Sequence, residues 1–153
     1  MSYNPYFLTT LQEGARAIGV TILVQDPQCG GSESGLRRHE RARADGVIVF
    51  GGPVTLEHRS AIIALAADKQ LPAVWSDRER VIDGGLMSYG ADVADLYRRA
   101  AGYVDRIVKG AKPTDLPIEQ PTKFVLAINL KTAKALGLAV PQSMLQRTNQ
   151  VIQ

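Results

Sequence analysis

The sequence predicts an α/β fold, a parallel sheet with helices on both faces. Three observations carry this expectation. First, Val20–Val24, Gly46–Phe50 and Leu71–Trp75 are short, apolar and mostly β-branched, the pattern of buried strands. Second, the stretches beside them place apolar residues at helical spacing. Third, the two patterns alternate with short connections, which favours parallel pairing. At 153 residues the chain suits one domain with a core of its own.

Asn4-Pro5 reads as a helix start, with Asn as N-cap and Pro at the first helical position. Leu8, Leu11, Ala15 and Ile18 share one face, and Gly19 stops the helix. Asp26 to Gly35 is Pro/Gly/Ser-rich loop, and a basic helix follows to about Ala44. After the Gly46–Phe50 strand and Gly51-Gly52-Pro53, a helix is expected from about Leu56 to Lys69. Glu57 in its first turn and Lys69 in its last suit the macrodipole. Beyond the Leu71–Trp75 strand, Leu86-Met87 is a weak apolar segment. From Asp92 to Lys109 a long helix carries the stripe Val93, Tyr97, Ala100, Ala101, Val104, Ile107 and Val108. The pairs Asp95–Arg99 and Asp105–Lys109 support its other face, and Gly110 ends it. Three prolines keep Lys112–Thr122 irregular. Alternation of Phe124, Leu126 and Ile128 gives a fourth strand. Asn129 caps a helix over Leu130–Leu136 closed by Gly137, and a short helix starts at Pro141. A parallel unit normally opens on a strand, so a start at a strand-to-helix turn predicts a piece of a longer protein.

Composition excludes several classes. Hydrophobic residues are 45% and charged residues 22%, with a net charge of +3, ordinary for a globular protein. No apolar run approaches a membrane span, and MSYNPYFLTT has neither a basic n-region nor a long apolar h-region, so no signal peptide is read. The basic run Leu36–Arg43 lacks the aromatics or motif of a nucleic-acid surface and reads as a solvated helix face, so no nucleic-acid partner is expected. Cys29 is the single cysteine, and His39 and His58 lack metal-ligand spacing. No metal or cofactor is expected.

In open α/β sheets, ligands sit outside the carboxyl ends of the strands. That rule selects Gly51-Gly52 after the second strand, Ser76 and Asp77 after the third, and Asn4 if a strand precedes it. Ser88 and Tyr89 line the same edge. FGGPVTLEH lacks both phosphate-loop spacings, and VWSDR lacks the G-x-S-x-G elbow, so neither nucleotide binding nor hydrolysis is expected. Trp75 reads either as core or, with Tyr89, as a platform for stacking an apolar ligand. Asp77 with Arg78 reads either as a local surface pair or as partner to the charged ends of an amino acid. The picture is a binding architecture without covalent chemistry, so no enzyme is expected.

GGLMSYG, AAGYVDRIVKGAKP, LPIEQPTKF and INLKTAKALGL resemble, nearly residue for residue, the C-terminal part of ABC transporter substrate-binding proteins, in the family with tryptophan- and tyrosine-binding members. LPAVWSDRERVIDGG resembles it more loosely. The resemblance implies the second lobe of a type I periplasmic-binding-protein fold plus its returning hinge segments. Residues 1–85 would be second-lobe α/β units, 86–122 the hinge crossing and long helix, and 123–153 the final strand and helices. It also implies a small-molecule ligand held between two lobes, ABC permease subunits as partners, and a periplasmic or extracytoplasmic location. The family's export signal and first lobe have no counterpart in this sequence, so the missing N-terminal lobe would be a further partner. Closure is expected by rotation near Gly84-Gly85 and Lys112–Thr122, and the long helix's stripe is expected to be partly unsatisfied in this chain. Members usually carry a longer helix where Pro27–Gly35 stands. The residues by themselves also fit a small flavodoxin-like enzyme or regulatory domain complete as given.

Overall fold

The protein is described from a computed structural model, over residues 5–24 and 43–153. Helix α1 spans Pro5–Ala17. It closes with Val20 N–H donating to the Ala15 carbonyl at 2.8 Å and Gly19 N–H to that of Arg16 at 3.1 Å. Gly19 takes φ +73, the left-handed turn such an end requires. The Asn4 cap, the Asp26–Gly35 loop, Cys29, and the basic run as far as residue 42 lie outside the described residues.

The sheet runs β1-β2-β3-β4-β5. Strands β1 (Val47–Val49), β2 (Ala73–Trp75) and β3 (Met87–Ala91) are mutually parallel, with Val49 opposite Trp75 and Trp75 opposite Ser88. Strand β4 (Phe124–Asn129) runs antiparallel to β3, from Met87 opposite Ile128 to Ala91 opposite Phe124. Strand β5 (Gln150–Ile152) is parallel to β4. The expected parallel sheet is thus mostly parallel, with one antiparallel joint.

Val20–Val24 is a correction. Propensity favours a strand, but these residues form none, and Val20, Leu23 and Val24 are exposed. A strand exists through its ladder, and no described strand pairs with this segment. The helix expected from Leu56 begins earlier, at Pro53, and is two pieces: α2 (Pro53–Glu57) and α3 (Arg59–Asp68). They are separated by His58 at φ −95 and ψ 15. Pro53 suits a first turn because its missing N–H has no intrahelical partner there.

One face of β1 and β2 presents Val49, Ala73 and Trp75, on which Ile62 and Ala66 of α3 pack. Val81, Leu86, Ala127, Ile128 and Ala133 are also buried. Each large apolar side chain so buried contributes roughly 1.5–3 kcal/mol. Val81 belongs to α4 (Glu79–Ile82), one turn between β2 and β3. Asn129 is the buried polar hub of this region. Its Oδ1 accepts from Thr132 N–H at 3.1 Å, capping α6 (Leu130–Ala135), and its Nδ2 donates to the Val81 carbonyl at 3.2 Å. The final helix, α7, spans Gln142–Leu145.

Helix α5 (Val93–Val108) and the segment after it leave the sheet at the end of β3 and return at β4. Its amphipathic pattern is strong, yet none of its residues is buried. Tyr97, Val104 and Val108 of the stripe face solvent. The uncovered stripe expected from the sequence is present.

Candidate functional site

The carboxyl ends of β1 and β2 lie side by side because the two strands pair in register, so their following turns meet. Gly51 N–H donates to Ser76 Oγ at 2.9 Å. Ser76 Oγ–H in turn donates to Asp77 Oδ2 at 3.2 Å. Asp77 Oδ1 is held by Arg80 Nε at 3.1 Å. Glycine is needed at the neighbouring point of β3, where a Cβ on Gly90 would stand 1.8 Å from the Ser76 carbonyl oxygen.

The turn after β2 forms one wall of a cleft of about 250 Å³, with Gly51 and Gly52 outside its lining and tied to it through Ser76. Ser76, Asp77 and Arg78 line one side, Asp92 and Tyr97 the other, with Gly90 on the floor. The far wall is the start of α5. Asp92 caps that helix, its Oδ1 accepting from Asp95 N–H at 3.1 Å, while Oδ2 pairs with Lys123 Nζ at 2.9 Å. The Lys123 ammonium first, and then the Asp95 N–H, hold the Asp92 carboxyl below its ordinary range. Asp77, Arg78 and Asp92 are each paired within the protein, to Arg80, Glu79 and Lys123 respectively.

The sequence-selected residues fall into three groups. Gly51, Ser76 and Asp77 are brought together, with Gly52 next in the chain. Trp75 and Ser88 are corrections: they face each other across β2 and β3 and are only 2% and 1% exposed. Trp75 points into the α3-facing core, where a Cβ on Gly85 would stand 2.7 Å from Nε1, so its ring is no stacking platform. Ser88 is sealed inside the sheet for the same register reason. Tyr89 alternates to the other face of β3, is 59% exposed, and stacks on Phe124 at 5.6 Å between centroids. Asn4 lies outside the described residues. The alternative given for Asp77 and Arg78, a local surface pair, also shifts, since Asp77 pairs with Arg80 and Arg78 with Glu79.

Sequence reasoning missed Asp92, Tyr97 and Arg80. Asp92 carried a readable signal, an N-cap residue directly before the longest helical pattern. Tyr97 was assigned to the stripe, and its place at the cleft depends on where the helix starts relative to β2.

The segment from Lys112 to Thr122 holds one short 3-10 turn, Pro113–Asp115. It lies back along the polar side of α5. Tyr103 Oη–H donates to the Pro117 carbonyl at 2.6 Å, and Arg99 donates to the Gln120 carbonyl at 3.2 Å and pairs with Glu119. The Asp95–Arg99 pair expected from spacing is therefore not formed: Asp95 binds Arg98 at 2.9 Å instead. The Asp105–Lys109 pair is formed, at 2.9 Å.

Comparison with known proteins places this geometry. No curated protein matches the chain. A conserved domain protein from Vibrio cholerae superposes with a TM-score of 0.85 at 20% identity, over 97% of this chain and 52% of that one. An ABC domain in complex with L-Trp from Streptococcus pneumonia gives 0.85 at 24% identity, over 96% and 50%. The ligand-free, open form of a substrate binding protein with adhesive properties from Clostridium difficile gives 0.65 at 15% identity, over 99% and 52%. At these identities the likeness establishes the fold, and the chain spans about half the length of each structure. The sequence profile of the ABC transporter substrate binding proteins matches residues 37–152, most of the chain and all of the cleft. The chain thus belongs to the ABC transporter substrate-binding protein family.

Proposed function

We propose that this chain supplies one jaw of a two-lobed binding protein serving an ABC importer, and that it captures a small organic ligand without covalent chemistry. The observation that supports this most is the pairing of a polar cleft with an uncovered helix. Gly51, Ser76 and Asp77 meet at the strand ends, while α5 buries none of its residues and turns Val104 and Val108 outward. Such a stripe suits a second lobe packing on α5, which brings another wall over the cleft and desolvates the ligand.

In this reading the ligand meets Gly51, Gly52, Ser76 and Asp77, and Asn4 and Tyr89 belong to the same edge. The L-Trp bound to the streptococcal relative favours an amino acid. The protein acts outside the cytoplasm and hands its ligand to permease subunits. Residues 1–85 are the second-lobe α/β units, residues 86–122 the hinge crossing and long helix, and residues 123–153 the final strand and helices. Because Lys112–Thr122 is tied along α5 and Gly85 is wedged between Trp75 and the Arg80 carbonyl, the two move as parts of their neighbours. The β3–β4 ribbon beyond the end of β2 (Tyr89–Ala91 with Phe124–Leu126) is then the place left to flex.

The test is thermal unfolding of the polypeptide extended to include a first lobe, against the twenty L-amino acids and a set of aromatic acids. A ligand at a hundred times its Kd stabilises by about 2.7 kcal/mol, a shift of several degrees. No shift with any of them counts against the proposal.

A further inference from the structure

We infer that Arg80, which stands behind the cleft wall, is the positioning residue that fixes the wall's turn, after β2, to the neighbouring turn after β1. It thereby decides which hydrogen-bonding groups the wall offers a ligand. Its side chain is only 13% exposed, against 70% for Arg98 and 73% for Lys109 in the pairs on α5. Its backbone is also fixed, because Gly85 N–H donates to the Arg80 carbonyl at 2.8 Å. Nε holds Asp77 Oδ1 at 3.1 Å, and Nη1 lies 3.9 Å from Asp83 Oδ2, which Arg59 of α3 holds at 3.2 Å. An unbroken chain of charged and polar contacts therefore runs from α3 through Asp83, Arg80, Asp77 and Ser76 to the Gly51 amide.

The direction of each bond in this chain follows from donor chemistry. Arginine only donates and an ionised carboxylate only accepts, so the Ser76 hydroxyl proton must point at Asp77. The Gly51 N–H must then use a Ser76 lone pair. With its proton committed, Ser76 has only a lone pair left for a ligand, and Asp77 likewise has only acceptor positions. The Asp77–Arg80 pair is neutral as a whole, so acceptance does not require a cation. Ser76 and Asp77 therefore favour an N–H or O–H donor on the ligand, charged or not, while Arg78 beside them supplies the wall's donors. The guanidinium suits this role because its planar group directs Nε at Asp77 while its charge stays near Asp83, which a lysine ammonium would do without a fixed direction.

This inference rests on the cleft reading for its meaning to a ligand, but its test needs none. Amide hydrogen exchange at Gly51 is followed by NMR on the 15N-labelled chain, with Ala127, fully buried in β4 between β3 and β5, as the reference. Losing one hydrogen bond's support should accelerate Gly51 about tenfold in R80M while Ala127 stays unchanged. S76A, which removes the acceptor itself, should accelerate Gly51 at least as much, and R80M added to S76A should change it no further. Gly51 exchange that ignores R80M, or effects of R80M and S76A that multiply, overturns the inference. If R80M unfolds the chain, D77N interrupts the same relay at constant volume, and an unmoved Gly51 amide in D77N is equally decisive against it. A failed ligand screen would sink the binding reading and leave the exchange result standing. A Gly51 amide indifferent to Arg80 would sink this inference even if a ligand binds.

Discussion

Replacing Gly90 by alanine adds one methyl group where the backbone of β3 passes the turn after β2. The added carbon would stand 1.8 Å from the Ser76 carbonyl oxygen and 2.9 Å from its carbonyl carbon. Ordinary heavy-atom contact is about 3.5 Å, so the two backbones must part by roughly 1.7 Å. Neither neighbour is a free side chain that can swing away. Ser76 is tied to Gly51 and Asp77, and Gly90 lies within the β3–β4 ladder opposite Val125. Overpacking of this kind costs about 1–3 kcal/mol, and backbone-on-backbone overlap belongs at the upper end. Urea unfolding of G90A should therefore show a midpoint lowered by about 1 M or more at unchanged slope, since slopes for small proteins run about 1–3 kcal/mol per molar. If a ligand binds the cleft when a first lobe is joined to the chain, the same substitution should weaken it, because Gly90 lines the cleft. A G90A chain within about 0.5 kcal/mol of wild type would refute the close approach, and with it the account of how the Ser76 turn is placed.

Three further outcomes follow from features on other parts of the chain. Ser88 Oγ is buried with no hydrogen-bond partner among the described residues, so S88A should be neutral or stabilising by up to about 1 kcal/mol in the same denaturation assay, and clear destabilisation contradicts the unpaired hydroxyl. Val104→Lys should change the stability of this chain by no more than about 0.5 kcal/mol, because Val104 is exposed, but should cost well over 1 kcal/mol where a first lobe covers α5; equal effects in both argue against that cover. Arg99 first, and Tyr103 second, hold the Glu119 carboxyl below its ordinary range. A depressed carboxyl contributes stability that is present above its unfolded value of about 4.3 and is lost as the pH falls through the folded one. The melting-temperature gap between wild type and E119Q should therefore be full at neutral pH and close only as the pH falls through the lowered folded value, and added salt should shrink it because the pair is accessible to water. A gap that persists in acid refutes the ion-pair account.

Local signals proved reliable where the physics is local. The alternation of Phe124, Leu126 and Ile128, the Asn129 cap and the Gly137 stop each act within a few residues, and β4 and α6 stand where they indicate. Strand β3 was hidden because Ser88, Gly90 and a preceding Gly-Gly pair have little strand propensity. It is a strand because β2 and β4 pair with it on both sides. Val20–Val24 is the reverse case, strong in propensity and without a ladder. Alternation of helices and strands predicts parallel pairing, so the antiparallel β3–β4 joint had no signature short of knowing where α5 goes. At the site, the strand-end rule found Ser76 and Asp77 because it depends only on order along the chain. Arg80 was invisible to it, since a one-turn helix has no period to read and its role depends on a bond to Asp77 in space.

The antiparallel joint also carries a topological consequence. Ala91 and Phe124 are opposite one another at the end of the ladder, and every residue between them belongs to α5 or the strap tied along it. None of the buried residues lies in that excursion. Strands β3 and β4 are therefore a closed hairpin into which an arm has been spliced. Excising residues 92–123 and joining Ala91 to Phe124 through an Asn-Gly turn should leave the core and sheet intact. The shorter loop lowers the entropic cost of closing β3 on β4 by about 2 kcal/mol. The arm then behaves as a separate cooperative unit, one that exchanges its amides early and can be grafted or removed without rewriting the sheet.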